Sequence, residues 1–245
     1  MKLNPTLFSK KTGRSSILIA MLPAAIFFSS CSNHDDNVAV PNQAAFSVTN
    51  ASPTKTPLDF YLDNQKVTTR GTLPTGSNTG YFLAVSGTRT GVVTASGSTT
   101  SLHTEKLKLE TDRFHTIFII NSADTLSFLN LTDNFNNPQQ GKALIRFVNL
   151  SPDSPIYSLE YEGDTTAFTN KAYKDFTAFK SVTAKTGINL NLRNTATNAI
   201  VATLPNVELK NQQIYTVWAK GLVAAAPTDT LQRIGIKITR LVQNF

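Results

Sequence analysis

Ala45-Phe46-Ser47-Val48-Thr49-Asn50-Ala51-Ser52-Pro53 and Leu144-Ile145-Arg146-Phe147-Val148-Asn149-Leu150-Ser151-Pro152 lie 99 residues apart and share Asn-x-Ser-Pro at their ends. The likeness continues outward from them. Phe60 and Leu62 fall on Leu159 and Tyr161 at the same offset, and Leu109 with His115-Thr116-Ile117-Phe118 falls on Leu209 with Tyr215-Thr216-Val217-Trp218 at an offset of 100. Asp124-Thr125-Leu126 recurs as Asp229-Thr230-Leu231, after an insertion around Gly221 to Pro227. Order and spacing kept over about 90 residues mark an internal duplication.

Within each unit the hydrophobic period is two. Tyr157, Leu159 and Tyr161 alternate with Ser158, Glu160 and Glu162, and Ile234, Ile236 and Ile238 alternate with Arg233, Gly235 and Lys237, the pattern of half-buried antiparallel strands. Further strand-like runs cover residues 90–95, 113–120, 187–193, 199–204 and 214–220, with Gly, Asn, Pro or Thr between them. No helical period is sustained after Cys31. The reading is all-β: two tandem antiparallel β-sandwich domains, immunoglobulin-like or transthyretin-like, over residues 44–135 and 141–245. The polar stretch from Asn134 to Gly141 separates them. Phe46, Phe60, Ile117, Phe147, Leu159, Val217 and Trp218 are expected to fill the cores.

Residues 1–30 read as a leader. Lys2, Lys10, Lys11 and Arg14 precede an apolar run from Ile17 to Phe28, broken only by Pro23, and Ser29-Ser30 leads into the single cysteine, Cys31. The run has 12 residues, short of the roughly 20 that cross a bilayer as a helix. It resembles a bacterial lipoprotein signal, which implies cleavage before Cys31 and attachment of lipid, palmitate among it, to that residue. Several acyl chains hold a protein where one binds only reversibly. Ser32-Asn33-His34-Asp35-Asp36 resembles the Ser-plus-acidic signal that sends Bacteroidetes-type lipoproteins to the outer face of the outer membrane. Residues 31–43 are then the lipidated cysteine and a flexible tether, about 20 Å in root-mean-square span.

Loss of the leader removes four of the 23 basic residues and no acidic one, leaving 19 against 16, or +3 in place of +7. A charge this small, without Lys/Arg clusters, gives no case for nucleic acid. With the one thiol acylated, the domains are disulfide-free and depend on their cores.

Asn149-Leu-Ser-Pro-Asp-Ser-Pro155 after an apolar strand, with Tyr215-Thr216-Val217 and Gly221 further on, resembles domain-of-unknown-function family 4397, the second unit more closely than the first. That resemblance implies tandem β-sandwiches in envelope or secreted proteins and no catalytic or binding residue. Tyr215 is comparable to the tyrosine corner of sandwich domains, with His115 in its place in the first unit. Asn149 to Pro152 reads as turn chemistry.

Reactive groups are sparse. His34, His103 and His115 are the only histidines, acylation of Cys31 leaves no thiol, and no phosphate loop or nucleophile elbow occurs. Gly87-Thr-Arg-Thr-Gly91 reads as a hairpin turn. Asp59 and Asp63, on one strand, would stand about 13 Å apart, outside the ~5 to 9.5 Å of glycosidase pairs. The sequence predicts no enzyme, no cofactor and no metal. Candidate sites are Thr125, Thr165 and Thr230, each in an Asp-Thr pair resembling Bacteroidetes O-glycosylation acceptors, and the cluster Tyr173, Phe176 and Phe179, which could contact a ligand or cap the sandwich. The expected function is a non-enzymatic binding or accessory lipoprotein of the outer membrane, displayed to a glycan or envelope partner. The alternative is a structural or adhesive surface protein acting through protein contacts.

Overall fold

The computed structural model describes residues 42–122, 125–163 and 168–241. Cys31, His34, Asp124, Asp164 and Thr165 lie outside them. In the first unit the strands are β1 (Gln43–Asn50), β2 (Leu58–Leu62), β3 (Gln65–Lys66), β4 (Asn78–Val85), β5 (Gly87–Ala95), β6 (Ser101–Leu109), β7 (Phe114–Ser122) and β8 (Thr125–Asp133). In the second they are β9 (Lys142–Asn149), β10 (Tyr157–Tyr161), β11 (Phe168–Lys171), β12 (Lys180–Thr183), β13 (Ile188–Asn194), β14 (Ile200–Val207), β15 (Ile214–Lys220) and β16 (Gly235–Arg240).

Each unit is a sandwich of two four-stranded sheets, and the two units repeat one strand order. The first has β4-β1-β7-β8 over β3-β2-β5-β6; the second has β12-β9-β15-β16 over β11-β10-β13-β14. Every paired ladder is antiparallel except the central β1/β7 and β9/β15, which are parallel. Immunoglobulin domains put their first two strands in one sheet. Here those strands lie in opposite sheets, so of the two expected arrangements this is the transthyretin-like one. The stretch from Gly87 to Gly91 is not a hairpin turn. It opens β5, which lies in the sheet opposite β4, and at Gly91 a Cβ would meet Leu107 Cδ1 at 2.6 Å.

Two cores follow from the alternation. Phe46, Val48, Phe60, Val93, Ile117 and Ile119 pack inside the first sandwich, and Ile145, Phe147, Leu159, Leu190, Val217 and Ala219 inside the second. Trp218 does not join them. It points the other way, into a cluster with Ala51, Phe118, Ile120, Leu131, Val148 and Leu150 that draws on both units. Ala45, Phe114, Phe135, Ile214 and Leu241 form another such cluster. The outer faces of β4-β1-β7-β8 and β12-β9-β15-β16 are therefore packed against each other, giving four stacked sheets. Equivalent residues meet there: Ala51 with Leu150, Phe114 with Ile214, and Phe118 with Trp218, whose rings are 6.2 Å apart. The units join as the halves of an isologous dimer do, about a pseudo-twofold axis.

The Asn-x-Ser-Pro motif closes each central strand. Asn50 Oδ1 accepts from Ser52 N at 3.1 Å while its Nδ2 donates to Leu73 O at 2.9 Å; Asn149 Oδ1 accepts from Ser151 N at 3.2 Å while its Nδ2 donates to Lys171 O at 3.0 Å. Both asparagines are fully buried. The side chain thus ends the strand with an Asx turn and ties it to the connection after β3 in the first unit and to the end of β11 in the second. At the other end Lys210 N donates to Tyr215 Oη, and Glu110 N donates to His115 Nε2, each at 2.9 Å. Both bonds reach back five residues. The tyrosine corner is present, and histidine makes the same link in the first unit.

Candidate functional site

Because β1 and β9 run in the same direction, the molecule has two distinct ends. Gln43 and the linker 134–141 mark one end; the connections that follow β1 and β9 mark the other. The distal end of the second unit gathers residues 150–156, 172–176, 195–199 and 221–234, and the end of β9 with the first of these connections is bonded to the others. Thr195 N donates to Ile156 O at 3.0 Å, Asp153 accepts from Val223 N and Ala224 N at 2.9 Å each, and Asn149 N donates to Asp175 O at 3.0 Å. Asp153 has no counterpart in the first unit, where Thr54 follows Pro53, and the insertion it holds is likewise confined to the second.

Loops of the two units are joined across this end. Gln232 Nε2 donates to Pro53 O at 2.6 Å, Lys55 Nζ lies 3.0 Å from Asp229 Oδ2, and Tyr173 Oη donates to Asn121 O. Leu102, Ile156, Phe176, Ile200, Val223 and Leu231, all 39–50% exposed, stand at this end. They are six of the eight large hydrophobic side chains exposed among the described residues.

The three aromatics singled out by sequence have separate fates. Tyr173 packs on the cluster shared between units, and burial raises its phenol to about 12. Phe179 packs in the other shared cluster, edge-on to Phe135 at 5.5 Å and with the Arg146 guanidinium 4.7 Å from its ring centre. Phe176 alone is exposed. The three rings make no common platform. Thr125, at the start of β8, and Thr230, in the connection between β15 and β16, are exposed. Thr165 lies outside the described residues.

Ionisable groups with shifted pKa values are engaged in holding the fold. Burial raises Asp59, but Lys66 Nζ, Gly97 N and Thr68 Oγ1 together hold it below its ordinary value. Asp63 is not on the strand with Asp59; it sits in the turn after β2 and pairs with Arg89. Glu160 is lowered by Arg193, across the β10/β13 pair. Lys220 is lowered by burial and by Lys237 and Arg233, and its ammonium donates to the carbonyls of Thr230 and Leu231 at 3.0 and 3.1 Å. His103 Nε2 lies 3.0 Å from Glu105 Oε2 on the surface of β6.

Sequence reasoning missed the charged pair between the units. Asp133 Oδ1 meets Arg146 Nη1, Asp133 Oδ2 accepts from Tyr81 Oη and Thr116 Oγ1 at 2.7 and 2.8 Å, and Arg146 Nε donates to Thr216 Oγ1 at 2.9 Å. An arginine inside the apolar strand from Leu144 to Val148 was the available signal.

Comparison with known proteins bears on the family. No curated protein matches the sequence. Among solved structures the chain resembles a family-26 carbohydrate-binding module of Eubacterium rectale Amy13K, determined with maltoheptaose, at 8% identity over 82% of this chain and 98% of that one, with a TM-score of 0.26. It also resembles a streptococcal virulence factor described as binding α-glucan, at 9% identity over 70% of this chain and 92% of that one, with a TM-score of 0.22. Similarity this low carries no argument about ligand. The family model for the Domain of unknown function (DUF4397) matches residues 44–160. The match falls on the first unit and the opening two strands of the second, whereas the sequence motifs resembled the family most in the second. Through residues 44–160 the chain is similar to that family of domains of unknown function, DUF4397.

Proposed function

We propose that the protein is a non-enzymatic lipoprotein of the outer membrane, anchored through Cys31, whose distal end binds a protein partner of the cell envelope. The observation that carries this reading is the placement of Leu102, Ile156, Phe176, Ile200, Val223 and Leu231 at the end opposite Gln43. An anchor at Gln43 would turn that end away from the membrane. Exposed apolar side chains at one end of the molecule favour a protein contact there. Five of these six are aliphatic, whereas sugars stack on flat rings, and only Phe176 supplies one. That favours a protein over a glycan as the partner at this end.

Crosslinking in intact cells, followed by purification of this chain, tests the reading. Capture of a defined envelope protein is expected from the wild type and its loss from Phe176→Asp and Ile200→Asp, with the melting temperature unchanged. Capture unaffected by both substitutions would overturn the proposal.

A further inference from the structure

At the opposite end, beside the linker, a cleft of about 470 Å³ opens between the two units. Its size lies within the roughly 300–1,000 Å³ typical of small-ligand sites, which favour domain junctions. Arg113 and the side chains of Asn134, Asn136, Asn137 and Gln139 line it, with Phe179 in its wall. None of those five polar side chains has a hydrogen-bond or ionic partner among the described residues.

The frame around these groups is fixed. Phe135 is buried between Phe114 and Phe179, at 5.9 and 5.5 Å, and Pro138 is buried too. The linker ends with Gly141 N donating to Asn211 Oδ1 at 2.7 Å. With the backbone of this segment immobilised, a ligand has only the side-chain rotamers left to order. Among the described residues no carboxylate lines the cleft, and the adjoining Asp133 is already paired with Arg146.

The chemistry selects a ligand class. A carboxamide offers two donors and an acceptor, which suits neighbouring hydroxyl groups. A guanidinium fork suits a carboxylate. We infer that this cleft is a second binding site, separate from the distal end, for a carboxylate-bearing sugar, with Arg113 on the carboxylate and the linker carboxamides on the hydroxyls.

Calorimetric titration of the full chain in detergent with trigalacturonate and with neutral galactotriose tests the inference. Binding of the acidic trisaccharide is expected, at least tenfold tighter than the neutral one. Arg113→Gln should abolish that preference, and Asn136→Ala should weaken binding of the acidic sugar several-fold. Phe176→Asp should leave the titration unchanged, so this site and the distal one succeed or fail separately. The inference is overturned if trigalacturonate gives no binding, if galactotriose binds equally well, or if the Arg113 and Asn136 substitutions leave the affinity unaltered.

Discussion

Asp133 and Arg146 come from different repeats and meet at 2.6 Å with side chains 0% and 2% exposed. Ser47 stands at the place of Arg146 in the first unit, and Leu241 at the place of Asp133 in the second. Two first units brought together in this way would leave Asp133 facing serine; two second units would leave Arg146 facing leucine. Each would bury an uncompensated charge, which costs several kcal/mol. The duplicated sandwiches have thus diverged so that each pairs with the other rather than with its own kind.

Asp133→Ala should lower stability by about 3–5 kcal/mol, because it strands the guanidinium of Arg146. Replacing both residues with leucine, as Leu241 already does at one equivalent position, should recover most of that loss. Urea unfolding of the single and double variants measures this, and a double variant no more stable than Asp133→Ala would contradict the account.

Much of this architecture was legible from the period-two pattern and the duplication. The run from Ile214 to Lys220 coincides with β15, and the polar stretch from Asn134 to Gly141 lies between β8 and β9. The packing between units was not legible. β1, β7, β9 and β15 are buried on both faces, so Ser47, Thr116 and Arg146 occupy positions that alternation alone assigns to solvent. Trp218 was expected in a sandwich core for the same reason. Nothing local to a strand says whether its second face meets water or another sheet. The distal end and the linker cleft gather residues far apart in sequence, so only the topology brings them together.

His115 supplies a pH dependence. Burial pushes its imidazole below the ordinary 6.5, while Asp133, Asn130 and Glu110 pull it upward less strongly. The accepting Nε2 requires a neutral ring. The unfolded chain therefore takes up a proton first as pH falls, so the stability from this residue is complete above 6.5 and is lost below it, down to the folded-state pKa. In His115→Gln the stability profile between pH 6.5 and 5 should be flatter than in the wild type. Equal slopes for the two proteins would argue against the assignment.

Gly221 carries φ +80, and a Cβ there would stand 2.3 Å from Arg233 O and 2.4 Å from Gln232 O. Gly221→Ala should cost more than the roughly 1–3 kcal/mol of backbone strain alone. Gly97→Ala is the comparison, since at φ +76 its Cβ would have nothing within 4 Å. Thermal melts should rank Gly221→Ala well below Gly97→Ala.

Trp218 is the only tryptophan and is wholly buried between the units, its Nε1 donating to Thr239 Oγ1 at 3.3 Å. Its fluorescence therefore reports separation of the two sandwiches. Denaturant transitions followed by fluorescence and by far-ultraviolet circular dichroism should coincide. A fluorescence change at lower denaturant would show that the units part before they unfold.

Labelled palmitate should enter the wild-type chain and not Cys31→Ser in the native host. Incorporation into the variant would remove the proposed anchor.

β1 lies between β4 and β7 in the middle of its sheet, and it begins at Gln43, where the proposed tether would join. If the tether is held and the distal end is pulled, tension runs along the strand axis. The hydrogen bonds on both sides of β1 are then loaded together in shear, not opened one after another like a zipper. The parallel pairing of β1 with β7 then lies along the line on which an anchored protein would feel force.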